Sequence, residues 1–192
     1  MLQKELSDVG TLPPEEGIYR LQNVQQVYSK AESMIASANT SLLIDIDPIP
    51  LRQLEPSIDA AVERGLKPLV HVHSDSMNRK INGCEVINSC KLDWPGEWLV
   101  VHADGREYLI AVITPDERRV LQAVWSRNAF IAPLVFHGTL DKAILYSVMI
   151  MFGKGLSRDE IQTEMRRLWT EFAQNDPGSQ TLRELFDTLR FL

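Results

Sequence analysis

Cysteine is scarce: Cys84 and Cys90 are the two among 192 residues. Two cysteines cannot build a disulfide framework, so a reducing cytoplasm is the expected compartment. No unbroken run of about 18 apolar residues occurs, which argues against an ordinary membrane-spanning helix. The longest apolar stretch, around Ala143–Phe152, is interrupted by Tyr146 and Ser147. The opening MLQKELSDVG lacks the charged-then-apolar order of a signal peptide. Positive charge is in deficit: 20 Lys and Arg stand against 26 Asp and Glu, for a net charge of −6. Autonomous DNA binding needs a basic surface, so this balance argues against it. Gly and Pro, at 10 each, are too few for a low-complexity chain. Catalytic signatures are missing too. There is no GxSxG elbow, and Gly153-Lys-Gly155 reads as a helix-to-helix turn, not a phosphate loop.

What remains is a strongly patterned chain. Residues 1–17 read as an arm, broken by Pro13, Pro14 and Gly17. Val24, Val27, Ala31, Met34, Ile35 and Ala38 form one helical stripe, with Asn23 as N-cap and Asn39 as stop. Residues 41–47 read as a strand ended by Pro48 and Pro50, residues 51–64 as a helix with Gly65 just past its end, and residues 67–73 as another strand. This β–α–β alternation predicts parallel strands covered by helices. A short strand at 84–87 follows. Asp104-Gly105 marks a hairpin between strands at 97–103 and 106–113, and residues 120–125 read as one more strand. From Asn128 the pattern is helical. Residues 130–152 are apolar with Gly138 as a break, Ser157-Arg-Asp-Glu160 is a capping box, and a last helix is predicted from Thr181.

Two groups of residues carry chemistry. Asp45 and Asp47 sit at the exit of a predicted parallel strand, where ligand crevices of α/β sheets lie. His71, His73 and Asp75 end the neighbouring strand and would share that rim. The rim suits a polar small molecule. Equally, Asp47 turns the chain before Pro48, and the H-x-H pair has one ring hydrogen-bonded in the core and one at the sheet rim. With Cys84, Cys90 or Asp75 the two histidines could make a metal site, but the spacing of Cys84 and Cys90 is not a zinc pattern, so neither a metal nor any other cofactor is assigned. The second group is Trp125, Arg127 and Asn128, where strands give way to helices. An aromatic ring, a guanidinium and an amide suit a sugar or an anion; alternatively Trp125 is core and Asn128 caps a helix.

The order of elements resembles the effector domain of TrmB-type transcriptional regulators. The likeness rests on Gly17-Ile-Tyr-Arg20, Met34–Ala38, Leu42–Ile46, Leu54–Ile58, the segment ending at Gly65, Asp104–Glu107, Ala123–Asn128 and Phe136-His-Gly138, and runs from Gly17 to about Met151. That domain is similar to phospholipase D-like folds, whose enzymes use HxKxxxxD. With Asp104 in the Asp position, the His and Lys positions fall on Glu97 and Leu99, so the resemblance implies a retained scaffold without phosphodiesterase chemistry. The resemblance also implies a winged helix and coiled coil that have no counterpart in the 16 residues before the likeness begins. The tail from 154 to 192, with six basic and seven acidic side chains, is no substitute.

The expectation is an α/β, phospholipase D-like, mixed and largely parallel sheet flanked by helices, with an arm at 1–17, an effector domain at 18–152 and a helical extension at 153–192. The implied role is non-catalytic sensing or regulation in the cytoplasm, with a sugar or other small metabolite as effector. A homodimer is expected through Leu168, Trp169, Phe172, Leu185 and Phe186; the alternative is that these side chains pack back on the sheet, Trp169 above all. Two alternatives stand beside it: a metal-assisted or other hydrolase built on Asp45, Asp47, His71 and His73, and an interaction module that pairs with DNA-binding relatives.

Overall fold

A computed structural model describes residues 17–74, 80–91, 93, 95–173 and 176–189. The arm up to residue 16 and Asp75 therefore lie outside the described residues.

Strand β1 (Ile18–Arg20) leads into α1 (Val24–Ser37), whose N-cap Asn23 accepts from the Gln26 amide through its side chain at 2.9 Å. Strand β2 (Leu42–Ile46) runs into α2 (Pro48–Glu63). Pro48 and Pro50 begin this helix instead of merely ending the strand, because a first-turn residue needs no amide hydrogen. Gly65, at φ +95°, closes it as anticipated. Strands β3 (Leu69–His73), β4 (Glu85–Ser89), β5 (Glu97–Ala103), β6 (Glu107–Ile113) and β7 (Val120–Ser126) follow, then helices α3 (Ile131–Gly153), α4 (Arg158–Phe172) and α5 (Pro177–Leu189). Helix α3 continues through Gly138. The capping box at Ser157 and Glu160 is formed.

The seven strands make one mixed sheet in the order β1-β7-β6-β5-β2-β3-β4. Parallel pairing is the minority: β2–β3 and β3–β4 are parallel, whereas β1–β7, β7–β6, β6–β5 and β5–β2 are antiparallel. The sequence suggested a largely parallel sheet. The β5–β6 hairpin and its continuation into β7 supply antiparallel neighbours instead, because short connections between successive strands force that direction.

The two faces of the sheet differ. Ile44, Ile46, Val70, Val72, Leu99, Val101 and Leu109 pack with Val27, Ile35, Leu51, Leu54 and Ile58 of α1 and α2 into an all-apolar layer. On the other face, Leu43, Leu69 and Ile87 meet Phe136, Leu140 and Ala143 of α3 and Leu168 and Phe172 of α4. Strand side chains alternate in direction, so this second face also receives Asp45, His71, His73 and Ser89. Its apolar cluster stops where they begin.

Helix α3 revises one expectation. It is long and apolar enough, by length and composition, to cross a membrane. It nevertheless packs Phe136, Leu140 and Ala143 on the sheet, while Leu145, Met149 and Phe152 are exposed. The proposed dimer surface is also corrected. Leu168 and Phe172 are buried against the sheet and α3, and the side chains of Leu185 and Phe186 lie outside the described residues. Trp169 is 45% exposed and lies against His137, with ring centroids 5.9 Å apart, rather than on the sheet.

Candidate functional site

The residues singled out from the sequence divide between opposite ends of the sheet. Asp45, Asp47, His71 and His73 gather at the carboxyl ends of β2 and β3. Trp125, Arg127 and Asn128 lie at the other end, beside the β5–β6 turn.

At the first end, Asp45 is the centre. It pairs across the parallel ladder with His71. His73 Nε2 lies 2.7 Å from Asp45 Oδ1 and His71 Nδ1 lies 2.8 Å from the same oxygen. The opposite nitrogens, His71 Nε2 and His73 Nδ1, each lie 2.9 Å from Ser89 Oγ. Asp45 Oδ2 accepts from Trp98 Nε1 at 2.8 Å and from Lys142 Nζ at 2.9 Å. Both imidazoles are wholly buried and Asp45 nearly so. Burial works to raise the Asp45 carboxyl, but the close contacts and charge of His71 and His73 outweigh it and hold it far below the usual range. Burial lowers His71, against the upward pull of Asp45.

Sequence reasoning missed Ser89, Trp98 and Lys142. Lys142 had a signal, being the sole lysine within the apolar segment that became α3. Ser89 and Trp98 had none, since only the strand order brings β4 and β5 to either side of the β2–β3 pair. Asp47 does not join the cluster. Its Oδ2 accepts from the Trp98 amide at 2.8 Å, and its own amide donates to the Trp98 carbonyl at 2.9 Å. It fastens the end of β2 to the start of β5. Burial raises its carboxyl above the ordinary value, against the Trp98 hydrogen bond. An open rim at Asp47 and His73 is thus corrected: both side chains are buried.

At the second end, the Glu107 carboxylate is buried and accepts from Trp125 Nε1 and, at 3.2 Å, from Arg127. Lys30 Nζ sits 3.7 Å from the Trp125 ring centroid and 3.5 Å from Glu107. Asn128 is the structural residue of this set. Its Oδ1 accepts from the Ile131 amide at 2.9 Å and so opens α3. Beside these residues lies a cleft of about 720 Å³ whose polar lining includes Ser37, Arg106, Glu107, Arg127 and Thr181. Asp104, placed where the phosphodiesterase motif would have its Asp, is committed elsewhere. Its Oδ1 accepts from the amides of Thr40 and Ser41 and from the Thr40 hydroxyl at 2.7–3.0 Å. Glu97, which the sequence likeness put in the nucleophile's place, is buried and paired with Lys91 at 2.7 Å.

A family model described as "Transcriptional regulator TrmB, EBD N-terminal subdomain" matches residues 17–138. The chain belongs to this TrmB family. Among solved structures, TrmBL2, described as an archaeal chromatin protein with a novel mode of DNA binding, is similar at 17% identity and a TM-score of 0.52; the match covers 73% of this chain and 57% of that one. This TrmB-family chain thus spans little more than half of TrmBL2. NucT from Helicobacter pylori is 15% identical with a TM-score of 0.47, over 70% of this chain and 94% of that one. Nuc from Salmonella typhimurium, a phospholipase D family member, is 14% identical with a TM-score of 0.47, over 65% and 93%. No curated protein sequence matches. Membership in the TrmB family and the TrmBL2 likeness agree with the α/β fold expected from the sequence.

Proposed function

We propose that this TrmB-family chain is a cytoplasmic, non-catalytic regulatory domain that binds a small polar metabolite, such as a sugar, in the cleft beside the β5–β6 turn. The observation that supports this most is the cleft itself. Its volume of about 720 Å³ falls within the ~300–1,000 Å³ usual for ligand sites. Arg106, Arg127 and Glu107 offer charge-assisted hydrogen bonds there, and Ser37 and Thr181 offer hydroxyls. Burial of both imidazoles, with Glu97 and Leu99 at the motif positions, favours binding over catalysis.

A thermal-shift panel of sugars and small acids is the test. A hit is expected whose affinity falls about tenfold or more in Arg127→Ala, the size of one lost charge-assisted hydrogen bond. A panel without hits, or a hit indifferent to Arg127→Ala and Thr181→Ala, overturns the reading. In the same reading the domain forms a homodimer and acts with DNA-binding relatives instead of contacting DNA alone. A monomer mass by light scattering, or a specific DNA complex of the isolated chain at about 150 mM salt, removes that part.

A further inference from the structure

The cluster at the far end of the sheet has an unbalanced hydrogen-bond count. Four contacts close a ring: Asp45 Oδ1 to His71 Nδ1, His71 Nε2 to Ser89 Oγ, Ser89 Oγ to His73 Nδ1, and His73 Nε2 back to Asp45 Oδ1. Each contact needs one proton. A serine hydroxyl and two neutral imidazoles hold only three between them, and a carboxylate has none. With both imidazoles neutral, one of the four contacts therefore sets two lone pairs against each other. The contact of His71 Nδ1 is that one: the nitrogen is fully buried, 2.8 Å from Asp45 Oδ1, and makes no hydrogen bond. Lys142 adds a donor on the His73 side, its ammonium 2.9 Å from Asp45 Oδ2 and 3.2 Å from His73 Nε2, and leaves His71 Nδ1 as it is.

The geometry points to a divalent transition-metal site with Asp45 Oδ1, His71 Nδ1 and His73 Nε2 as its protein ligands. These three atoms lie within 4.8 Å of one another. A cation among them turns both imidazole lone pairs inward and both N–H groups outward. Ser89 Oγ then accepts from both rings, as a group that orients metal-bound histidines does. Trp98 and Lys142 hold the second carboxylate oxygen, which leaves Oδ1 to the metal; the Lys142 ammonium, 3.2 Å from His73 Nε2, withdraws toward solvent, as its 30% exposed side chain allows. Bonds of about 2.0–2.2 Å to nitrogen and oxygen require the 2.7–2.8 Å contacts to open by roughly half an ångström, a small pivot of two imidazoles. Two nitrogens and one oxygen suit Zn²⁺ or Co²⁺ rather than Ca²⁺ or Mg²⁺. No fourth protein ligand converges on these atoms among the described residues, which leaves the remaining position to water. The ion would cross-link β2 and β3 within the core. The site is separate from the effector cleft and does not depend on it.

Metal-free full-length chain titrated with Zn²⁺, and separately with Co²⁺, tests this. One equivalent per chain is expected, with a rise in melting temperature and a visible Co²⁺ spectrum of nitrogen and oxygen ligands without a thiolate band. Asp45→Asn and His71→Gln should abolish stoichiometric binding. Ser89→Ala should weaken it about 10–100-fold, as the loss of an orienting partner does. Cys90→Ser should leave it unchanged. Absence of stoichiometric binding by the folded wild-type chain overturns the inference. So does binding that survives Asp45→Asn and His71→Gln, or that disappears with Cys90→Ser. Should the ligand variants not fold, the wild-type Co²⁺ spectrum decides, a thiolate band or no band counting against the site.

Discussion

Two residues, His102 and the half-buried Asp104, both lose stability in acid, for different reasons. His102 is wholly buried, and burial pushes its imidazole from 6.5 down to about 3, against a weak upward pull from Asp45. The Thr139 hydroxyl donates to the Val135 carbonyl, so His102 Nε2 must be the donor to Thr139 at 3.0 Å, and the ring is neutral. Above pH 6.5 neither the folded nor the unfolded chain protonates this ring, and it leaves stability flat. Between 6.5 and 3 only the unfolded chain takes up the proton, so stability falls by up to about 1.4 kcal/mol per pH unit from this group. Urea melts at pH 7, 6, 5 and 4 should show a shallower fall for His102→Leu than for wild type. Asp104 acts in the same direction at lower pH, through a carboxylate that is well paired and not through an imidazole kept neutral by burial. Burial alone would raise its carboxyl, but donors from Ser41, Thr40 and Asn39 hold it below the ordinary value. Its stabilisation is present above about pH 4 and is lost as the carboxylate protonates. Asp104→Ala should cost about 1–3 kcal/mol in denaturant unfolding. Asp104→Asn should recover part of that, because Oδ1 alone receives most of the donors and Asn tolerates the φ of 55° found there.

Glycines separate the elements that are free from those that are fixed. Gly138 lies in the exposed middle of α3, where an added Cβ would meet nothing within 4 Å. Gly138→Ala should raise stability by about 0.5–1 kcal/mol, seen as a melting-temperature gain of about 1–4 °C. Gly178 is the opposite. A Cβ there would stand 2.1 Å from the Gly105 carbonyl oxygen. Gly178→Ala should lift the first turn of α5 from the hairpin, and hydrogen exchange in α5 should speed up while the central strands stay protected. At this scale the sequence was readable wherever a periodic stripe or a turn residue dominated: α1 with its Asn23 cap, the hairpin at Asp104, and the capping box at Ser157. It misled at Pro48 and Pro50, where one residue type serves both to stop a strand and to start a helix. It gave no notice of β1, a three-residue edge strand with all its side chains exposed. The chemistry was half legible. The H-x-H spacing put His71 and His73 on one face, but their partners Ser89, Trp98 and Lys142 arrive from three separate elements, which no local pattern can announce.

For the molecule as a whole, the helical tail is part of the core. Leu168 and Phe172 of α4 share a cluster with Leu43, Leu69 and Ile87 of the sheet and with Phe136 of α3. A chain ending at Gly153 should expose that cluster, bind a hydrophobic dye and lose its single sharp unfolding transition; an unaltered melt would show that the sheet and α3 suffice. The resemblance noticed in the sequence extended to about Met151 and therefore could not foresee this dependence. The mixed topology was likewise hidden, because residues 41–73 do form parallel neighbours and only the later hairpins reverse the balance. The tail meets the rest of the protein a second time at its far end, where the Gly178 amide donates to the Asp104 carbonyl at 3.2 Å. With two peptide backbones touching, the seam between hairpin and helix tolerates hydrogen and nothing larger, so a methyl group on either glycine would pry them apart.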